Sequence, residues 1–197
     1  MNNSFDDIIQ GLMKDGYYVN DHFLSDEMTA QLRENAIELH NHGQFKNAAI
    51  GKKNSEMIIE NVRNDQIHWL SDSSNNPFET AFLNIINELI IYLNRQAYLG
   101  IRSKELHYAI YTPGAFYNKH LDAFQKENKR IVSIVCYLNK HWGAFMGGQL
   151  RMYLPENQID IEPLGGRMVC FLSEEIPHEV LPATQNRYSV TGWLKTA

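Results

Sequence analysis

The sequence has few cysteines, no excess of positive charge and no long apolar run. Its two cysteines, Cys136 and Cys170, occur in apolar, strand-like stretches among 197 residues, which favours small buried side chains over a disulfide or a metal site. The net charge of −5 provides no broad basic surface, so nucleic acid is not an expected partner. No apolar stretch is long enough to cross a bilayer, so no membrane partner is expected either.

The N-terminal residues also lack the basic region and the apolar run of a secretory signal. We therefore expect a cytoplasmic protein. The length predicts one domain, residues 1–197, with a core large enough to need no disulfides. There is no linker, internal repeat or low-complexity run. Residues 1–104 are expected to give mainly helical support and a substrate-loop region, and residues 105–197 a β core that contains the site.

Three helices are predicted in the first half of the chain. The first ends before Gly16, and the second extends from Ser25, a candidate N-cap, to Gly43. The third starts after the candidate cap Asn76, has Pro77 at its first position, and ends near Gly100. Glu79 is the expected partner of Asn76 in a capping box. The apolar stripes of these helices are interpreted as core, so they need a sheet to cover.

From Glu105 onward, short alternating strands are separated by turns such as Pro113-Gly114 and Gly165-Gly166. This pattern is typical of a jelly roll. The predicted fold class is therefore α+β, a double-stranded β-helix with supporting N-terminal helices on one sheet and a functional site near the barrel mouth.

A histidine and a carboxylate, His120 and Asp122, are separated by one residue, and His178 follows far downstream. In extended backbone His120 and Asp122 point to the same side, so both can reach one metal ion. Two imidazoles and one carboxylate form the facial set that holds Fe(II) and leaves positions open. The His-x-Asp spacing alone is weak evidence, since such a pair is more often solvated or hydrogen-bonded.

An arginine and two tyrosines extend the candidate site. Arg187 begins a strand-like segment on which period two places it on the same face as Thr191 and Trp193. Its planar fork suits a carboxylate, such as that of a keto acid. Tyr111 precedes a turn and Tyr137 ends an apolar strand. For either tyrosine alone, ordinary core packing is the more common role.

The region from about His107 to Trp193 resembles the 2-oxoglutarate and Fe(II)-dependent oxygenases. Within them it is most similar to the prolyl hydroxylase branch, which includes the animal oxygen-sensing enzymes and bacterial relatives. The motifs that carry the resemblance, in chain order, are Tyr111-Thr112-Pro113-Gly114, Tyr117-Asn118-Lys119-His120-Leu121-Asp122, Tyr137-Leu138-Asn139-Lys140-His141-Trp142, Gly147-Gly148-Gln149-Leu150-Arg151, Pro177-His178-Glu179-Val180 and Arg187-Tyr188-Ser189-Val190-Thr191. A weaker likeness covers Val62 to Trp69.

The resemblance implies roles for these residues. The metal ligands would be His120, Asp122 and His178, holding Fe(II). The co-substrate 2-oxoglutarate would bind through its distal carboxylate to Arg187, and the side chains that would contact it nearby are Tyr137, Thr191 and Tyr111. O2 would be the oxidant, and ascorbate (vitamin C) a reductant.

The implied activity is that of a dioxygenase of the peptidyl-proline 4-dioxygenase type. It would couple oxidative decarboxylation of 2-oxoglutarate to succinate with hydroxylation of a proline in a protein or peptide, such as a translation elongation factor. Two alternatives remain open at this point. One is the same chemistry on a free amino acid or small metabolite, and the other is a non-catalytic metal-binding jelly roll that acts as an interaction module.

The segment from Ala48 to about Asp65 is small, polar and basic, with Gly51, Lys52 and Lys53 at its centre. This composition predicts a loop that covers the substrate. A solvated hairpin is the alternative interpretation. At the end of the loop, Asp65 is expected to pair with Arg130.

Overall fold

Three helices and eleven strands are formed by the residues that the structure describes, which are 2–48, 61–123 and 129–197 of a computed structural model. The helices are α1 (Asn2–Asp15), α2 (Asp26–Asn41) and α3 (Pro77–Ala97). The strands are β1 (Tyr17–Asn20), β2 (Lys46–Asn47), β3 (Gln66–Trp69), β4 (Ser103–Tyr111), β5 (Tyr117–His120), β6 (Arg130–Tyr137), β7 (Leu150–Tyr153), β8 (Gln158–Ile161), β9 (Met168–Leu172), β10 (His178–Val180) and β11 (Arg187–Lys195).

The strands form two antiparallel sheets. One has seven strands in the order β1-β9-β6-β11-β4-β3-β2, and the other has four in the order β5-β10-β7-β8. Most neighbouring strands are distant in sequence, as in β5 with β10, so the chain passes repeatedly from one sheet to the other. This is the predicted jelly roll, and with its three helices the α+β class is confirmed.

Alternate residues of the seven-stranded sheet belong to two different apolar cores. Tyr108 and Ile110 of β4 are buried in the cluster that includes the apolar faces of the helices. Ala109 and Tyr111 belong to a second cluster, which also contains residues of the four-stranded sheet. The period-two alternation of strand side chains produces this division. The helices therefore cover the outer face of the large sheet, and the space between the sheets remains for the site.

The start of α3 differs in one detail from the sequence prediction. Asn76 caps the helix as expected, because its side-chain oxygen accepts hydrogen bonds from Phe78 N (2.9 Å) and Glu79 N (3.1 Å). Glu79 does not complete a capping box. It is buried against α2, where its carboxylate accepts from Asn35 at 2.6 Å and from the Ser74 hydroxyl. The Asn76 N–H donates to Ser74 Oγ instead (3.1 Å).

The two cysteines are buried and form no disulfide, as predicted. Burial raises the pKa of the Cys170 thiol to about 12 and raises that of Cys136 further above its ordinary value. Both thiols therefore stay protonated and serve as small apolar side chains. None of the helices in the described ranges is long and apolar enough to span a membrane.

Most of the predicted substrate-covering loop, residues 49–60, lies outside the described residues, so that prediction stays a prediction. The expected pair of Asp65 with Arg130 is wrong. The carboxylate of Asp65 accepts two hydrogen bonds from Arg63, two residues earlier on the same side of an extended segment. Arg130 instead donates to the Asp122 backbone oxygen (3.0 Å) and lies 3.7 Å from a carboxylate oxygen of Glu105.

Candidate active site

Three side chains meet where β5 and β10 lie side by side. His120 ends β5 and is the direct cross-strand partner of His178, which begins β10. Asp122 follows in the bend after β5, and its two carboxylate oxygens lie 3.5 Å from His120 Nε2 and 3.6 Å from His178 Nε2. One donor atom from each residue falls within 4.8 Å of the others. The fold thus brings together the three residues that the sequence singled out.

Hydrogen bonds to the backbone orient both imidazoles. His120 Nδ1 lies 2.7 Å from the Asn118 carbonyl oxygen, and His178 Nδ1 lies 3.0 Å from that of Ile176. A carbonyl oxygen only accepts, so each Nδ1 carries the hydrogen and each Nε2 keeps its lone pair. Histidines that ligate metals usually donate their other ring N–H in this way.

The charges of the three residues suit a divalent cation. Burial lowers the pKa of His178 to about 4, although the Asp122 carboxylate opposes the shift. Burial would raise the pKa of Asp122, but His178, His120 and a 2.6 Å hydrogen bond from Ser133 hold it well below its usual range. At neutral pH His178 is therefore neutral and Asp122 is an anion. Metal ligands must be deprotonated in this way, so the three residues fit Fe(II).

Arg187 lies at the other end of the same pocket. Its side chain is 1% exposed, and its Nε donates to the Gly148 carbonyl oxygen at 2.8 Å. The guanidinium carbon lies 5.0 Å from the ring centres of both Tyr111 and Tyr137. Among the described residues, no carboxylate lies within ion-pair distance of Arg187. A buried cation held by two aromatic faces, without an acidic partner, suits an anionic ligand.

The hydroxyl groups near Arg187 differ in how they are used. Tyr137 Oη and Ser189 Oγ are buried and have no hydrogen-bond partner among the described residues. Burial raises the pKa of Tyr137, so its phenol keeps the O–H that a carboxylate needs. Thr191 also lines the pocket, but its hydroxyl donates to the Ile134 carbonyl oxygen at 3.0 Å. The sequence analysis did not single out Ser189, which lies two residues from Arg187 on the same face.

The pocket has an empty volume of about 500 Å³, including the part that is open to solvent. Besides Ser189, the polar or aromatic lining residues that the sequence analysis did not single out include Arg63, His107 and Tyr117. Period two from Tyr111 could have indicated His107, whereas Arg63 enters from a segment with no strand pattern. The complete lining is Arg63, His107, Tyr111, Tyr117, His120, Asp122, Val135, Leu150, Phe171, His178, Val180, Arg187, Ser189, Thr191 and Trp193.

His107 is a buried, neutral imidazole outside the three-residue cluster. It is 3% exposed and lies between two indoles, with ring-centre distances of 4.7 Å to Trp69 and 5.6 Å to Trp193. Its Nδ1 has no hydrogen-bond partner among the residues described. Burial, together with the nearby positive charge of Arg63, lowers the pKa of His107 to about 4.

The pKa of His107 predicts a pH-dependent stability. The ordinary value is 6.5 and the folded value about 4, so between these values the unfolded chain binds a proton that the folded chain does not. Stability is therefore lost as the pH falls from about 6.5 to 4, by roughly 3 kcal/mol for this residue. His178 contributes in the same direction. In the metal-free protein, His107→Leu should flatten the dependence of the unfolding free energy on pH.

The measurement is urea unfolding of the metal-free protein at several pH values. His42→Gln, a change at an exposed position, is the control and should leave the slope unchanged. An equal slope in wild type and His107→Leu would contradict the assignment of a buried, neutral His107.

Comparisons with known proteins indicate the family of this chain. The sequence profile of the 2OG-Fe(II) oxygenase superfamily matches residues 106–195. Prolyl hydroxylase EGLN3 of Mus musculus is 29% identical over 195 residues, which cover 94% of this chain and 81% of that protein. The crystal structure of a Pseudomonas putida prolyl-4-hydroxylase has a TM-score of 0.89 at 34% identity, covering 98% of this chain and 99% of that one.

A Trichoplax adhaerens prolyl hydroxylase, solved in complex with a peptide fragment of the hypoxia inducible factor oxygen degradation domain, also has a TM-score of 0.89. It is 26% identical and covers 98% of this chain and 90% of that chain. The chain belongs to the 2-oxoglutarate and Fe(II)-dependent oxygenases, within their prolyl hydroxylase branch. It is accordingly a dioxygenase, and the interpretation as a non-catalytic interaction module is set aside.

Proposed function

We propose that this chain is a protein prolyl 4-hydroxylase that couples oxidative decarboxylation of 2-oxoglutarate to succinate with hydroxylation of a proline in a protein such as a translation elongation factor. One observation carries the proposal. The cluster of His120, Asp122 and His178 lies in the same pocket as Arg187, a buried cation without an acidic partner among the described residues. Within the cluster, His178 is a neutral imidazole and Asp122 is an anionic carboxylate. The similarity to prolyl hydroxylases, one of them solved with a peptide, supports a polypeptide substrate.

His120, Asp122 and His178 are the residues that would hold Fe(II), each through one donor atom. When bound, Fe(II) supplies the activation of O2 that the oxidation of an unactivated C–H bond requires. The protein fixes the tautomers of the two histidines through backbone carbonyls, and the Ser133 hydroxyl donates a hydrogen bond to the Asp122 carboxylate. Ascorbate is the reductant that we propose to keep the iron in its ferrous form.

Arg187 would pair with the distal carboxylate of 2-oxoglutarate, with Tyr111 and Thr191 of the pocket lining beside it and the Tyr137 ring centre 5.0 Å from its guanidinium carbon. The guanidinium is already oriented by its hydrogen bond to Gly148, so its remaining N–H groups are available to a ligand. Positioning and exclusion of water are the contributions of these residues, since the walls around them are apolar and aromatic.

Tyr137→Phe should weaken 2-oxoglutarate binding moderately. The change removes one phenol O–H that is buried and has no partner among the described residues, and a hydrogen bond to a charged acceptor contributes about 1–3 kcal/mol. Titration of the metal-loaded protein with 2-oxoglutarate measures the effect. Unchanged affinity would show that this hydroxyl does not contact the co-substrate.

The function itself is tested by mass spectrometry. Purified protein is incubated with Fe(II), 2-oxoglutarate, ascorbate and a lysate, and tryptic peptides are searched for prolines that have gained one oxygen atom. We expect succinate formation together with one or a few modified protein sites, and none when 2-oxoglutarate is omitted. Succinate formation that is stimulated by free amino acids or small metabolites, without any modified protein, would contradict the proposal in favour of the small-molecule alternative.

A further inference from the structure

Residues 61–65 lie alongside β5, the strand that ends in His120. Arg63 and Tyr117 form an antiparallel bridge, and Asn118 N donates to the Val62 carbonyl oxygen at 2.9 Å. This short segment thus adds backbone contacts to β5 on the side opposite β10. Any side chain that it projects towards the pocket therefore lies next to the residues of β5.

Arg63 is the side chain that this segment places in the pocket. Its Nε and Nη2 donate to the two carboxylate oxygens of Asp65 at 2.8 and 2.7 Å. Arg63 is 9% exposed and Asp65 is 1% exposed. Two parallel hydrogen bonds between a planar guanidinium and a carboxylate fix the plane of the guanidinium as well as its position. Asp65 therefore holds Arg63 rigidly within the pocket wall.

The guanidinium continues into a stack of rings that ends at His120. The Arg63 guanidinium carbon lies 4.2 Å from the ring centre of Tyr117. The Tyr117 ring lies in turn on the His120 imidazole, with 3.6 Å between ring centres and 15° between planes. The order of contacts is Asp65, Arg63, Tyr117, His120.

A bulge in β5 makes this stack possible. Residues three apart on a regular strand point to opposite faces. Here His178 pairs with His120 while Val180 pairs with Tyr117, so three residues of β10 oppose four of β5. The extra residue brings Tyr117 to the same face as His120. Bulges of this kind commonly redirect a side chain next to a functional site.

His120 needs this support more than His178 does. The side chain of His178 is 6% exposed and has the edge of Phe171 at 4.6 Å between ring centres. The side chain of His120 is 15% exposed, and its Nδ1 donates to Asn118 O at 2.7 Å. The face of Tyr117 covers the ring and limits how far it can tilt about that bond.

We propose that Arg63 is a positioning residue for the metal site, acting through Tyr117 to hold the His120 imidazole in the orientation that ligates the metal. The proposal rests on the proposed function, because it requires His120 to be a ligand. If the proposal holds, changes at Arg63, Asp65 and Tyr117 alter the affinity for the metal. A residue that contacts only the substrate polypeptide would not have this effect.

The test is titration of the metal-free protein with Co(II). Calorimetry measures the affinity, and the visible absorption of the bound ion reports its coordination. Tyr117→Leu and the double variant Arg63→Ala/Asp65→Ala should each weaken Co(II) binding by about 10-fold, the lower end of the effect of losing an outer-shell partner, and alter the absorption bands. The double variant leaves neither charge buried alone. Tyr117→Phe keeps the ring and should retain the affinity of the wild type.

The matched control is Arg151→Ala/Asp160→Ala. Arg151 forms the same two-pronged contact with Asp160, at 2.7 and 2.8 Å, but away from the pocket, so this variant should bind Co(II) like the wild type. Thermal unfolding of the metal-free proteins identifies variants that fail to fold. If Arg63→Ala/Asp65→Ala fails to fold, the Co(II) affinity of Tyr117→Leu alone tests the positioning role.

Two outcomes are distinguishable. If Tyr117→Leu is folded and binds Co(II) with unchanged affinity and spectrum, while His120→Ala has lost binding, the positioning role is wrong and the metal site stands. If His120→Ala itself binds Co(II) like the wild type, the metal site is wrong and the proposed function falls with it.

Discussion

Replacing Arg187 by Ala should nearly abolish binding of 2-oxoglutarate at low concentration. Arg187 is 1% exposed, and among the described residues no carboxylate lies within ion-pair distance of it. Its loss would leave the distal carboxylate of the co-substrate poorly paired in a largely aromatic cavity, at a cost on the order of 2–5 kcal/mol. Arg187→Lys should also fail at low co-substrate, because an ammonium is a point charge without the planar fork.

The measurement is titration of the metal-loaded protein with 2-oxoglutarate. Arg33→Ala is a suitable control, since Arg33 also lies over a tyrosine ring, that of Tyr188 at 5.2 Å, but does not line the pocket. An apparent affinity of Arg187→Ala equal to that of the wild type would refute the role of Arg187 and direct attention to another cation.

The second large effect is expected for His178→Ala. The variant keeps one imidazole and one carboxylate, so Fe(II) affinity should fall by more than the roughly 10- to 100-fold that accompanies loss of an outer-shell partner. Succinate production should fall with it. His178 is buried, its Nδ1 donates to Ile176 O, and its Nε2 faces Asp122. On the pocket side, the substitution therefore removes the Nε2 donor atom that would ligate the metal.

Anaerobic titration with Fe(II) and a succinate assay check this expectation. His22→Ala, at an exposed position, is the control for loss of an imidazole in general. Full metal affinity together with full succinate production in His178→Ala would show that the metal is held elsewhere.

The sequence predicted the long elements of the fold better than the short ones. The helices carry caps and apolar stripes over many residues, and β4, β6 and β11, with eight or nine residues each, alternate over long enough stretches to be recognised. In the first 104 residues, β1, β2 and β3 were missed because strands of two to four residues show too few alternations. These strands form the two edges of the seven-stranded sheet, so their positions depend on pairing with β9 and β4 rather than on local pattern.

The candidate site was predicted where spacing alone defines it. The face of β11 that carries Arg187 follows from period two, and the His-x-Asp spacing marks His120 and Asp122, although Asp122 lies in the bend after β5. The contacts of Arg63 could not be predicted in this way, because its pairing with Asp65 and its position over Tyr117 depend on a bulge and on a bridge to a segment remote in sequence. Likewise, the environment of His107 required the register that places it between Trp69 and Trp193.

The alternation along β11 has a consequence for how this protein can be changed. Tyr188, Val190 and Leu194 face the helices, while the residues between them face the pocket. A laboratory selection for new ligands can therefore randomise the positions of Ser189 and Thr191 without removing any side chain from the helix-facing core. A selection for heat resistance can act on the other set. The two sets of positions on this strand can therefore be changed nearly independently. Side-chain volume limits the choice at the helix-facing positions, whereas hydrogen bonding and charge limit it at the pocket-facing positions.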